Sequence, residues 1–295
     1  MIFLRLIVIV FIVSPTWLWA AVPISSMEGS GGGAISPMAE VINPITKEGG
    51  GLFGTNWIGK PNVGMYFLGA PTADIMLYVP AITMSFFNRF EIGYSYMYAD
   101  LEFSPEVHNI AVQSIAAKVN ILRDGDFGWK WTPSFAVGAI HKHTNFNVPA
   151  NVQAYDSDNG TDAYFALTKR FPDLLPLPFI VNFGVRWTKA YILGLNGFGQ
   201  DYDHSVFAGI GVKLARRWSI GYSYFSGTHV GHNMLGAMRT DEFNEWNLIF
   251  EPTEKASIIM SYGKVGHENI HERERGGQNP SGLGDSWIAS MQYAF

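Results

Sequence analysis

The chain has 295 residues, a net charge of −5, no cysteine, 15% charged and 15% aromatic residues, and 32 glycines. Soluble domains average about 25% charged residues, so this composition points away from a water-exposed globule, and the absence of any Lys/Arg stripe excludes a nucleic-acid partner. Without cysteine there is no disulfide framework, no thiolate metal site and no lipoprotein attachment, and no cofactor is expected.

The N-terminus reads "MIFLRLIVIVFIVSPTWLWA": one positive charge at Arg5, an apolar run through Val13, a helix-breaking Ser14-Pro15, then small residues at Ala20 and Ala21. This is the pattern of a cleaved signal peptide over residues 1–20, because the apolar run is shorter than the roughly 20 residues a spanning helix needs. Residues 21–60 are rich in Gly, Pro and Ser, with "GSGGG" at Gly29 to Gly33. Gly29, Gly31 and Ala34 formally fit a dinucleotide fingerprint, but no strand precedes them and no crossover helix follows, so the match is compositional. The segment is expected to be a plug or the lead-in to a barrel that occupies residues 61–295.

From about residue 62 a period of two takes over. In "FEIGYSYMY", Phe90, Ile92, Tyr94, Tyr96 and Tyr98 alternate with Glu91, Gly93, Ser95 and Met97. "VNFGVRWTK" sets Val181, Phe183, Val185 and Trp187 against Asn182, Gly184, Arg186 and Thr188, and "SVFAGIGVKL", "WSIGYSYF" and "SIIMSYG" behave likewise. About twelve strands are expected, near 62–69, 74–87, 90–99, 109–122, 131–141, 162–170, 178–190, 205–214, 218–226, 242–250, 256–265 and 285–295. Short connections, at Asn88-Arg89, Arg123 to Lys130, Pro172 to Pro178, Ala215 to Arg217 and Pro252 to Lys255, alternate with longer ones. Tight periplasmic turns and long outer loops follow that order in outer-membrane barrels, whose strands also have this length. The fold class is therefore all-β, a transmembrane antiparallel β-barrel of about 12 strands in the outer membrane of a Gram-negative bacterium.

The runs "DNGTDAYFALTKRF", "VNFGVRWTKAYILGLNGFGQD" and "WSIGYSYFSG", together with "MEGSGGGAISPMA", "FNRFEIGYSYMYAD", "AAKVNI" and "WTPSFAVGAIHK", resemble a family of exported Gram-negative proteins known only as a domain of unknown function, family 3034. The resemblance covers nearly all of the mature chain. It implies an outer-membrane barrel and brings no activity, ligand or catalytic residue with it.

Parity along the strands points Glu91, Lys118, Arg186, Lys213 and Glu245 into the lumen, where charges of both signs suit either a narrow hydrated passage or an interior filled by paired charges. The histidines collect at one predicted rim. His141, His143, His229, His232, His267 and His271 are candidate metal ligands by residue type, against the plain alternative that lipid keeps imidazole out of the belt. The acidic "DSDNGTD" at Asp156 to Asp162 has the composition of a calcium loop, but Gly160 comes one place early, and a solvated loop tip is expected. Asp201, Asp203, Asp241 and Glu242 form an anionic outer surface suited to divalent ions bridged by lipopolysaccharide. A lipid hydrolase would need a nucleophile and base such as His204 with Ser205, or Ser226 with His229. No third orienting group is identifiable, so no enzyme is expected. The expected role is passive passage of an unknown small solute, with a non-conducting surface or structural barrel as the alternative.

The chain ends on "WIASMQYAF". Trp287, Met291, Tyr293 and Phe295 share one face, and a terminal aromatic with another two places before it resembles the signature by which barrels are recognised by the outer-membrane assembly machinery. A lysine appended after Phe295 should reduce the amount of folded protein in the outer membrane, read as loss of the band that shifts only on boiling in SDS.

Overall fold

Alternating apolar and small residues become twelve long strands because each strand has one face for hydrocarbon and one for the interior. The computed structural model describes residues 24–71, 74–101, 109–146, 156–195, 197–233, 236–266 and 283–295. In chain order the strands are β1 (Asn62–Ala70), β2 (Ile75–Phe86), β3 (Phe90–Leu101), β4 (Asn109–Leu122), β5 (Ser134–Phe146), β6 (Asn159–Phe171), β7 (Phe179–Ala190), β8 (Phe198–Ala215), β9 (Trp218–Phe225), β10 (Thr228–Asn233), β11 (Gly236–Thr240), β12 (Phe243–Thr253), β13 (Ala256–Val265) and β14 (Gly284–Ala294). All but β10 and β11 form a closed antiparallel barrel, and those two pair only with each other as a hairpin between β9 and β12.

Closure is made by β14, which pairs with β13 on one side and with β1 on the other, from Asn62↔Ala294 to Gly69↔Trp287. That seam leaves no open edge, as a sheet in hydrocarbon requires, because no water is present there to satisfy a free N–H or C=O. Outside the ring, Ile92, Phe183, Trp187, Trp246, Met260, Tyr262 and Met291 project their side chains outward and stay exposed. A continuous belt of this kind is far larger than the apolar patches soluble monomers tolerate; it is a surface for lipid tails. At the end where the tight turns lie, aromatic rings stack across neighbouring strands, as Trp218 does with Phe250 (4.6 Å) and Phe171 with Phe179 (4.7 Å).

Several boundaries differ from the sequence reading, each for a local reason. The β2–β3 turn is centred on Phe87 and Asn88, not Asn88 and Arg89: both have φ of 53°, and Arg89 N–H donates to Phe86 O at 3.0 Å. Positive φ at both central residues matches the right-handed twist of a hairpin. In the β4–β5 turn, the Arg123 N–H donates to the Asp126 carboxylate (2.9 Å), and that bond holds the Asp126 carboxyl below its usual pKa. At the opposite end, β5 runs on to Phe146 and β6 starts at Asn159, so Asp162 belongs to a strand, not to a loop tip. Strand β8 begins at Phe198, seven residues before the expected start, and the β1–β2 connection is only four residues long, 71 to 74. The β10–β11 hairpin was not foreseen, because "THVGHN" carries no alternation.

The lipid face can be tested at its middle. Met260→Arg, near the centre of β13, should lower the unfolding free energy in phospholipid bilayers by about 2–4 kcal/mol, measured by denaturant titration against the unsubstituted barrel.

Candidate functional site

The lumen is occupied by the protein's own N-terminal segment. Residues 24–45 fold into a compact loop stitched by backbone bonds such as Met27 N–H to Ala34 O (2.8 Å) and Met38 N–H to Gly31 O (3.1 Å). The glycines there are sites of close approach. Gly29 has φ of +80°, and its carbonyl oxygen would lie 1.7 Å from a Cβ placed on Gly93 of β3, so both positions must lack a side chain for the segment to dock. The docked carbonyl accepts a hydrogen bond from Thr83 Oγ1 at 3.0 Å.

Inner-face side chains grip the segment along its length. At its start, the Ser25 N–H donates to Gln292 Oε1 at 2.8 Å, and Asn62 Nδ2 donates to the same oxygen at 2.9 Å. Farther along, Glu91 accepts the N–H groups of Gly31 (2.6 Å) and Ile42 (2.7 Å) on its two oxygens. Its cross-strand neighbour Lys118 lies 2.9 Å from Glu91 Oε1 and donates to the carbonyls of Gly31, Met38 and Glu40. Thr168 accepts the Ala39 N–H, Asn120 donates to Ala39 O and Asn182 donates to Pro37 O. Glu40 pairs with Arg170 nearer the turn end.

The most buried contact is a four-charge cluster. Glu28, carried by the segment, lies 2.5 Å from Lys142 Nζ on β5 and receives Arg186 of β7 through two bonds, 2.6 and 3.1 Å. Asp162 on β6 completes it, 2.8 Å from Lys142 Nζ and 3.7 Å from Arg186 Nη1. Two carboxylates face two cations, so the cluster is neutral as a whole. Removing any one member would strand a buried charge, which typically costs about 3–5 kcal/mol.

Towards the loop end the filling turns apolar. Tyr191, Ile192 and Leu195, just after β7, join Leu68, Leu77, Met97 and Val112 of the inner wall in one buried cluster. Thr144 Oγ1 donates to Gly194 O at 2.6 Å and fixes that connection over the barrel mouth. Two cavities lie beside this filling. One of about 100 Å³ lies between the segment and the wall formed by β7, β8, β9 and β12, with Gly209, Gly211, Ser219, Ser223 and Asn247 among its lining residues. A smaller one, about 40 Å³, lies above it beside Arg186, Thr188, Phe225 and Phe243.

Of the residues singled out from sequence, Glu91, Lys118, Arg186 and Glu245 are buried on the inner face, and Lys213 pairs with Glu251 near the turn end. Their partners Glu28, Lys142 and Asp162 were not singled out. Lys142 alternates with two histidines, and its opposite parity was the available signal. His141 and His143 lie within β5, not beyond it. Both sit on the outer face, and their Nδ1 atoms meet Thr161 Oγ1 (2.9 Å) and Asn159 Oδ1 (3.0 Å). His229 and His232 lie on β10, where the His229 N–H donates to Asp203. His267 and His271 fall outside the described residues. Among the described residues no group of three or more His, Asp or Glu side chains converges as a metal site. His204 and Ser205 point to opposite faces, and the Ser205 hydroxyl donates to Ser226 O at 2.8 Å. Trp287, Met291, Tyr293 and Phe295 form an outward, exposed row at the seam.

A family model described as "Protein of unknown function (DUF3034)" matches residues 21–277. The chain belongs to that family. No curated protein sequence matches it. Among solved structures it is similar to the NanC porin (TM-score 0.49, 9% identity, covering 80% of this chain and 98% of that one). It is similar also to the KdgM porin (0.46, 11%, 79% and 99%) and to the COG4313 outer membrane channel from Pseudomonas putida F1 (0.47, 9%, 80% and 96%).

The docking geometry makes a sharp expectation, and a chain without cysteine suits its readout. A single Ala39→Cys, on the buried part of the segment, should be nearly unreactive towards a maleimide in the folded barrel. Adding Gly93→Val, whose side chain collides with the Gly29 backbone, should raise the labelling rate by about tenfold or more as the segment opens, while the barrel keeps its heat-dependent SDS shift.

Proposed function

We propose that this protein is a passive channel for small solutes in the outer membrane of a Gram-negative bacterium, closed at rest by residues 24–45 and opened when that segment shifts. The observation that carries this reading is the chemistry of the grip. The segment shares no ladder with the sheet: hydrogen bonds and ion pairs from inner-face side chains hold it, with Met27, Ala34, Ile35 and Ala39 buried in the apolar cluster, and water and ions can replace the polar contacts without breaking the barrel. The barrel wall is therefore separable from what fills it. In this reading Glu91, Lys118 and Arg186 are both the clasp that holds the plug and the charged lining left behind when it moves. Lys213 and Glu251 line the turn-end mouth. Lipopolysaccharide is the partner of the outer carboxylates Asp203, Asp241 and Glu242, and the barrel assembly machinery is the partner of the Trp287 to Phe295 row.

A second reading, a non-conducting structural barrel, is favoured by the filling: the neutral charge cluster and the apolar layer occupy the lumen, and the cavities beside them are small, about 100 and 40 Å³. Conductance separates the two. In planar bilayers the full chain should give rare, brief openings, and the chain lacking residues 24–45 should give a steady conductance. If both variants fold as heat-modifiable barrels and neither conducts, the channel reading fails and the structural one stands.

A further inference from the structure

Among the described residues most of the charges on the inner face are paired. Five acidic side chains, Glu28, Glu40, Glu91, Asp162 and Glu251, are each paired with a basic one, and the basic partners are also five: Lys118, Lys142, Arg170, Arg186 and Lys213. Glu245 stands outside this balance. It is 4% exposed, on the inner row of β12, and both of its carboxylate oxygens are buried without a hydrogen-bond partner. Ser223 lies directly opposite in register, and Asn247 is the next inward residue; these two are the polar neighbours of the carboxylate.

Its position is as telling as its isolation. Going from the loop end to the turn end, the inner row of β12 reads Phe243, Glu245, Asn247, and the facing row of β9 reads Phe225, Ser223, Gly221. Phe225 and Phe243 line the smaller cavity, and Ser223 and Asn247 line the larger. Along the strand Glu245 thus lies between the residues that line the two spaces, without lining either itself. Among the described residues the polar contacts that hold residues 24–45 run to β1 through β7, to β14 and to the flanking Lys60 and Asn88, and the larger cavity lies against the opposite wall. On the loop-end side, the rings of Phe225 and Phe243 stack at 4.8 Å and 4°.

An ionised carboxylate withdrawn from water with no counter-charge is strongly unfavourable, and a proton or a cation must relieve it. The Glu245 carboxylate and the Ser223 hydroxyl offer oxygens around a single negative charge, while Asn247 Oδ1 is taken by the Ser261 hydroxyl at 2.7 Å. That complement suits a monovalent ion, where calcium or magnesium draws on several oxygens and usually more than one carboxylate. We infer that Glu245 binds a monovalent cation, an alkali ion or a primary ammonium group, between the residues that line the two cavities, and that this site makes a path past the plug cation-selective. The selectivity rests on the channel reading; the binding does not.

The test separates the two. Folded barrel in detergent would be melted at equal ionic strength in potassium chloride, ammonium chloride and N-methylglucamine chloride, whose cation is too large for the site. Potassium or ammonium should raise the wild-type unfolding midpoint above the N-methylglucamine value, and E245Q, which keeps the shape and removes the charge, should abolish the difference. Equal midpoints in all three salts, or a difference that survives in E245Q, overturn the binding. So does an E245Q midpoint equal to wild type in every salt, since the carboxyl is then already neutralised by a proton. In bilayers, the chain lacking residues 24–45 should show a potassium-over-chloride preference that E245Q reduces by about tenfold. If conductance remains with unchanged selectivity, Glu245 is not on the path. If no variant conducts but the salt-specific shift stands, the channel reading fails and the cation site survives.

Discussion

A ring of twelve strands encloses more space than its own inward side chains can fill, and everything else in this protein follows from that excess. Eight strands make an interior that side chains pack solid; twelve leave a lumen that must be wet, blocked or occupied. Closure is itself imposed by the bilayer, because backbone groups in hydrocarbon have no water to bond. This protein meets the excess in two layers: residues 24–45 towards the turn end, gripped by polar contacts but with Met27, Ala34, Ile35 and Ala39 in the buried apolar cluster, and an apolar one built from the β7–β8 connection at the loop end.

The two layers are stabilised by different physics. Apolar burial by Tyr191, Ile192 and Leu195 is non-directional and tolerates small shifts. The polar layer is directional: Glu91 accepts two backbone N–H groups, Lys118 meets three carbonyls, and Arg186 grips Glu28 with two nitrogens. Such contacts specify one register for the segment at little net gain over solvated groups, since each charge has been taken out of water to make them. A filling of this kind is precise in position and exchangeable in energy.

The wall was legible in the sequence because a barrel strand shows its two faces at period two. Once Phe90, Ile92 and Tyr94 mark the lipid side, Glu91 and Gly93 have only the interior left to face, and the same parity orders Arg186 against Val185 and Trp187. The filling was not legible, because it obeys no period. Glu28 lies in a glycine-rich stretch whose composition suggests flexibility, and nothing local says that it meets Lys142 and Arg186, more than a hundred positions away. Asp162 was hidden for another reason: Asn159 and Gly160 are turn formers that here begin a strand, with Asn159 pairing with His143. The glycine run carried a clue in its lack of Cβ atoms, whose meaning appears only when Gly93 is seen against Gly29.

The pairing of Ser25 with Gln292 spans 267 positions, one partner before the first strand and the other on the last. The residue at the head of the segment thus finds its anchor only when the final strand arrives, and that strand is also the one that shuts the ring. Contacts so distant in sequence form late, after the loop-closure entropy of the whole chain has been overcome. Seating the head of the segment and closing the wall therefore draw on the same last strand.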